Sequence, residues 1–301
     1  MNGIFNEIKN SWNRPNNGLM QLIIVNVAVF IAVILTKVVM TLAGYHQVYV
    51  EMMSYLMLPA DIHTFIYRPW TIFTYFFLHE APLHLLINMF VLYWFGSILL
   101  QFKGQGKLIT LYSLGGVVGG LFYLLLFNTL PFFSEQVALS QMLGASGGVF
   151  AVVVGAATLV PNYRVNLFLL GEVRLKFIAL VYVLFSLADT TGANAGGNIA
   201  HIGGALAGFI YVLSLRNHNG DISDIFSGVR GWWNSLFTKP SKIKVTHKAE
   251  FQTKYRYNNK PNVGVDVDQA VIDSILDKIS ANGYESLTKE EKEKLFNASK
   301  K

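Results

Sequence analysis

The sequence predicts an all-α, polytopic membrane protein: a six-helix transmembrane bundle followed by a small helical cytoplasmic appendage. Three observations predict it. Of 301 residues, 52% are hydrophobic and only 14% charged, with a mean hydropathy of +0.40, whereas a soluble domain carries about 25% charged residues. Six apolar stretches, about 19–43, 84–101, 108–127, 143–160, 175–188 and 197–215, approach the roughly 20 residues that cross a bilayer. Lysine and arginine gather on alternate connections between them, the signature of a fixed orientation.

The first stretch exceeds the ~7–15 apolar residues of a signal-peptide core and has no cleavage site before Gly44, so it reads as a span. Lys37, late in it, is placed to snorkel outward. Lys9 and Arg14 precede it; Lys103 and Lys107 separate the second and third spans. Arg164, Arg174 and Lys176 lie between the fourth and fifth, and Arg216 with a basic tail follows the sixth. The opposite connections carry only Arg68. Both termini are therefore expected on the cytoplasmic side, in an integral protein of a bacterial plasma (inner) membrane.

This orientation also accounts for the net charge of +6 and the isoelectric point near 9.3, so nucleic acid is not an expected partner. With no cysteine, disulfides, thiol nucleophiles and thiolate-bound metals are excluded. No cofactor and no metal are expected.

Residues 1–17 read as a cytoplasmic segment and 18–216 as the membrane domain. Residues 217–262 read as an interfacial helix and basic linker. In "DIFSGVRGWWNSLF", Ile225, Phe226, Val229, Trp233, Leu236 and Phe237 recur at helical spacing beside Trp232, which suits a helix lying in the interface or packing within a tail. The basic stretch 239–262 is expected to attract anionic lipid head groups. Residues 263–301 read as a small helical module. Val271, Ile275, Leu276 and Ile279 share one helix face that ends at Gly283, and Thr288 with Glu291 forms a capping box for a second helix.

Polar side chains inside spans are costly and point to function. Four stand out: His84 and Asn88 in the second span, Ser146 in the fourth and His201 in the sixth. These spans all run from outside to inside, and each residue lies near its span's start. At 1.5 Å per residue they share a layer within roughly 10 Å of the outer boundary. Small-residue stripes, Gly147–Ala151–Gly155 after Ser146 and Gly204–Gly208 after His201, let the helices approach.

A serine hydroxyl becomes a nucleophile when a base takes its proton, and histidine is the usual base near neutral pH. Ser146 falls in a first helical turn, where unpaired N–H groups and the dipole favour an oxyanion. Gly144 and Gly147 keep side chains from that backbone, while His84 and Asn88, four residues apart on one helix face, can donate to the oxyanion. No aspartate lies at this depth, so the pattern is a Ser146–His201 dyad. "HEAPLH", residues 79–84, is one residue too long for the zinc-protease H-E-x-x-H. Five positions would turn the two histidines to different helix faces, and Pro82 interrupts a helix between them.

Together "HEAPLHLLINM", "GASGGVF" and "AHIGGALAGF" on successive outside-to-inside spans resemble the rhomboid family of intramembrane serine proteases, over about residues 18–216. The resemblance implies Ser146 as nucleophile, His201 as general base, His84 and Asn88 at the oxyanion hole, and His79 supporting water access. It also implies single-span membrane proteins as substrates, cut near the outer face. The chain departs from the family in three places. Trp70 is followed by Thr71, with Arg68 two positions earlier. Leu100 and Gln101 occupy the region of a frequent glutamate. Phe150 replaces the frequent tyrosine that stacks on the histidine. Two other classes compete. An inactive rhomboid-like protein would bind membrane clients without cutting them and would need neither Ser146 nor His201. A transporter would carry midplane polar groups and internal repeats.

Overall fold

The structure, a computed structural model, describes residues 17–167, 171–216 and 267–298, with a few isolated positions before Asn17. The segment 225–237 and the basic linker lie outside the described residues. The chain divides into two compact units, 1–240 and 241–301.

The first unit opens with α1 (Gly18–Leu42), about 37 Å long at 1.5 Å per residue. Ile31, Leu35, Val38, Val39 and Leu42 are exposed along it, as a lipid-facing helix requires. Its inner half is tied down. The buried Asn26 donates to the Leu22 carbonyl at 2.8 Å and to the Tyr112 hydroxyl at 3.1 Å. The Tyr112 hydroxyl in turn donates to the Phe76 carbonyl at 3.1 Å. Lys37 reaches over the Tyr49 ring at 5.9 Å.

The first outer connection is structured: α2 (His46–Ser54), β1 (Leu58–Pro59), α3 (Ile62–Tyr67), α4 (Thr71–Thr74) and a 3-10 turn (Tyr75–Phe77). Asp61 caps α3, accepting from the backbone of His63 and Thr64 and from the Thr64 hydroxyl. The Thr64 bonds hold its carboxyl below the usual carboxylate value. The Arg68 guanidinium donates to the Ser54 carbonyl at 3.1 Å and lies 3.8 Å from the Tyr55 ring. The Trp70 indole donates to the Tyr55 carbonyl at 2.8 Å. Arg68 and Trp70, in an order unlike the family's, thus grip the same end of α2.

The second and third expected spans form α5 (Pro82–Thr129), interrupted at Gly104, whose φ of 77° is open to glycine at little cost. The second half carries Gly115, Gly116, Gly119 and Gly120 toward its neighbours. A Cβ at Gly119 would stand 2.7 Å from the Ala200 carbonyl oxygen. This half packs against α6 (Ser146–Leu159) and α8 (Ala195–Arg216), which also pack on each other. Gly204 and Gly208 of α8 face the backbone carbonyls of Gly147 and Ala151, leaving no room for a side chain. Dispersion contacts, rather than hydrophobic transfer, reward such close approach in lipid.

The fourth span is shorter than the sequence suggests, and the fifth is as short as its 175–188 reading. α6 and α7 (Leu175–Ala188) have 14 residues each, about 21 Å against a hydrocarbon core of ~30 Å. Residues 143–145 were expected inside the fourth span but are not helical. The preceding β2 (Gln141–Met142) pairs with β1, and the Gly144 amide donates to the Tyr75 carbonyl at 3.0 Å. Extended backbone survives at such a position because protein, not lipid, surrounds it. By length and composition α1, α5 and α8 can cross a membrane, with α6 and α7 as shorter apolar helices. A β-hairpin, β3 (Arg164–Leu167) with β4 (Gly171–Arg174), closes the connection between α6 and α7 and departs from the all-α expectation.

In the second unit, α9 (Val267–Asn282) and α10 (Lys289–Ala298) flank Gly283, which has a φ of 77°. The Thr288 amide donates to Glu291 at 2.7 Å and the Glu291 amide to the Thr288 hydroxyl at 3.3 Å, a complete capping box. Ile275 is buried, whereas Leu276 is half exposed. The apolar face of α9 is therefore narrower than the sequence spacing suggests.

Candidate active site

Ser146 is the first residue of α6, and the strapping of residues 140–144 to β1 and Tyr75 sets where that helix begins. Gly144 has a φ of 130°. A Cβ there would meet His84 Cε1 at 3.0 Å, His84 Nε2 at 3.4 Å and Ser146 Oγ at 3.7 Å. The missing side chain leaves a small space between the His84 ring and the Ser146 hydroxyl. Gly147 differs from the sequence expectation. It faces the Gly115 and Ala200 carbonyls, because the next residue on a helix turns about 100° away. It serves helix packing rather than the space beside Ser146.

His79 is fully buried, and its Nε2 accepts a long hydrogen bond, 3.5 Å, from the Ala145 amide. Its ring centroid lies 5.2 Å from that of His84. The two rings meet because α5 begins only at Pro82, so the different-faces argument, which assumes a continuous helix, does not apply. Glu80 accepts from the Tyr49 hydroxyl at 3.3 Å. Burial, and then the Glu80 carboxylate, push that hydroxyl up to about 12. Among the described residues, no group of three or more His, Asp or Glu side chains could hold a metal ion.

Asn88 is buried and donates to the His84 carbonyl at 2.9 Å, which leaves its second amide N–H for another acceptor. His201, on α8, lies flat on the Phe150 ring: the centroids are 4.1 Å apart and the planes 7° from parallel. Phe150 is one turn after Ser146 on α6. The hydrogen bond of the His201 ring joins Nδ1 and the Ser186 hydroxyl of α7, 2.9 Å apart. Among the described residues no hydrogen bond joins Ser146 to His201.

Ser186 is the residue that sequence reasoning missed. A signal existed: α7 runs antiparallel to α8, so a serine near the end of α7 falls beside a residue near the start of α8. Beside His84, a cavity of about 400 Å³ is lined by Glu80, Gln136, Ser140, Gln141 and Asn194 among others. It gives the layer a polar opening.

An α-helical membrane domain with a buried to half-buried cluster of serine, histidine and asparagine is the class these features define. The chain belongs to the rhomboid family: residues 67–218, just over half of it, match the Rhomboid domain. Residues 256–301 match a second family, described as of unknown function (DUF6576). Similar proteins include presenilin-associated rhomboid-like protein A, mitochondrial, of Danio rerio, 29% identical over 140 residues (45% of this chain, 35% of that protein). The corresponding Homo sapiens protein is 27% identical over 143 residues (45% and 35%). Rhomboid protein 1, mitochondrial, of Saccharomyces cerevisiae is 28% identical over 137 residues (45% and 38%). The match thus spans little more than a third of these curated relatives.

Proposed function

We propose that this chain is an intramembrane serine endopeptidase that cuts single-span membrane proteins near the outer face of the bilayer. One observation carries the reading: the space at Gly144, between the His84 ring and the Ser146 hydroxyl, at the buried N-terminus of α6. A carbonyl oxygen entering that space would meet the first-turn amides of α6, the His84 ring and the free N–H of Asn88 as it becomes an oxyanion. Ser146 Oγ attacks the carbonyl carbon and His201 takes its proton, then returns it to the leaving amine. Water then hydrolyses the acyl-enzyme, entering through the cavity beside His84, whose ring is backed by that of His79. A dyad without a Ser146–His201 hydrogen bond is compatible with this cycle, since catalytic hydrogen bonds often form fully only when substrate is bound.

Client binding without cleavage is the second reading. It is favoured by the missing Ser146–His201 hydrogen bond, and by relatives whose names say rhomboid-like. Purified protein incubated with a model single-span substrate separates the two. The endopeptidase yields two fragments, insensitive to chelators, and His84→Ala and Asn88→Ala each slow it by up to ~10²–10³-fold. A substrate that co-purifies intact with the wild type would leave the binding reading alone standing.

Six crossings, with both termini on the Lys/Arg-rich side of a bacterial plasma membrane, complete the proposal, supported by the charge asymmetry of the connections. The mitochondrial names belong to the relatives. Protease accessibility of tags at residues 1 and 301 in sealed vesicles tests it, and an externally digested C-terminal tag in right-side-out vesicles would contradict it. The proposed topology gives the tail no part in the chemistry, and the role proposed for it is anchoring to anionic lipid and partner binding. Deletion of residues 240–301 should leave cleavage in detergent intact. A truncated protein that melts normally but cannot cut would overturn that division.

A further inference from the structure

We propose that Ser186 is a positioning residue for His201, holding Nδ1 so that Nε2 is the nitrogen presented to Ser146. The proposal rests on the endopeptidase reading above. Three helices meet at the His201 ring. α8 carries it, α6 supplies the Phe150 face at 4.1 Å, and α7 supplies the Ser186 hydroxyl at 2.9 Å. A stacked ring can still flip by about 180° around Cβ–Cγ, exchanging Nδ1 for Cδ2, and a bond to Nδ1 selects one of the two orientations. With the Phe150 face and the Ser186 edge both engaged, one orientation of the imidazole remains.

The bond is built in. α7 buries only Leu175, Ala179 and Ser186, and most of its other side chains are apolar and exposed. A buried hydroxyl on such a helix costs free energy unless it finds a partner. One turn further along, the Asn198 amide of α8 donates to the Asp189 carbonyl at 2.9 Å and to its carboxylate at 2.7 Å. Ser186 and Asp189 are three residues apart, as are Asn198 and His201. The antiparallel pair α7–α8 is thus pinned by two successive rungs, the inner of which ends on the base.

The chemistry fixes the sense of the inner rung. A neutral imidazole has one N–H and one lone pair. When Nδ1–H donates to Ser186, Nε2 holds the lone pair that removes the Ser146 proton. The resulting imidazolium keeps its bond to Ser186 through the tetrahedral intermediate. In the opposite tautomer Nε2 would already carry a proton and could not act as base. Ser186 therefore takes part of the role that an aspartate fills in a triad, without adding a charge to the membrane.

Ser186→Thr and Ser186→Val test this, since the two side chains have nearly the same shape and differ in the hydroxyl. Both are measured for kcat and KM on the model single-span substrate, beside wild type, Ser146→Ala and a thermal melt. Ser186→Thr should keep kcat near wild type. Ser186→Val should lose roughly 10–100-fold in kcat, the usual cost of removing a partner that orients a functional histidine, with KM unchanged. Should Ser186→Val fail to fold, Ser186→Ala, which removes the hydroxyl without added bulk, is read in its place. Wild-type kcat in the variant lacking the hydroxyl, or a change confined to KM, overturns the positioning role while the endopeptidase reading stands. Cleavage that persists in Ser146→Ala overturns that reading and this inference with it.

Discussion

Ser146→Ala is expected to reduce cleavage of a single-span substrate by roughly 10⁴-fold or more, and His201→Ala to do nearly as much. Both remove the same step, because a hydroxyl without a base and a base without a hydroxyl are equally idle. The double variant should therefore be no slower than either single one, since residues acting as a unit are not additive. Ser146→Ala should melt close to wild type, whereas the variants lacking the His201 ring should melt somewhat lower yet remain folded, because they give up the Phe150 stack and the Ser186 bond. A Ser146→Ala variant that still cuts would assign the nucleophile elsewhere.

The second large effect is structural. Gly204→Val should lower thermal stability sharply and remove activity with it. Any side chain at 204 collides with the Gly147 carbonyl, one residue after Ser146. Backbone cannot step aside as a side chain can, so the cost lies at or above the ~1–3 kcal/mol of ordinary core overpacking. α8 must move outward, carrying His201 from the Phe150 ring. Gly171→Val, at a hairpin glycine with no neighbour within 4 Å, strains the backbone alone and leaves the bundle in place. A Gly204→Val protein that melts and cuts like wild type would show that α6 and α8 are not packed at these glycines.

Much of the bundle was legible because lipid imposes a simple rule: long apolar segments separated by charge. The rule says less about segments sheltered by protein. The sequence places residue 143 in the fourth span, but the helix begins only at Ser146, since β1 and Tyr75 bind the backbone of the residues before it. Gly104 was not singled out as a break, although Lys103 and Lys107 mark the turn it makes. The hairpin strands Arg164–Leu167 and Gly171–Arg174 do alternate polar and apolar residues, but each run is only four residues long, too short to stand out beside the apolar spans.

The site was legible in part, for a related reason. Depth arithmetic placed His84, Asn88, Ser146 and His201 in one layer, but it was applied only to spans running inward. Run in the other direction, it places Ser186 in the same layer. Asn26 is another buried polar group within a span, and its bond to the Tyr112 hydroxyl serves to hold α1 to α5. The meeting of His79 with His84 could not be read from spacing, because it depends on where the helix starts.

The most direct test of the central claim is fluorophosphonate labelling of the protein in its membrane, with the modified residue located by mass spectrometry. A serine activated by a base and facing an oxyanion site reacts with such a probe, whereas an ordinary buried hydroxyl does not. The account predicts one adduct, on Ser146, formed in step with loss of cleavage and absent from His201→Ala. A wild-type protein that is folded, binds a single-span client and leaves Ser146 unlabelled would contradict it.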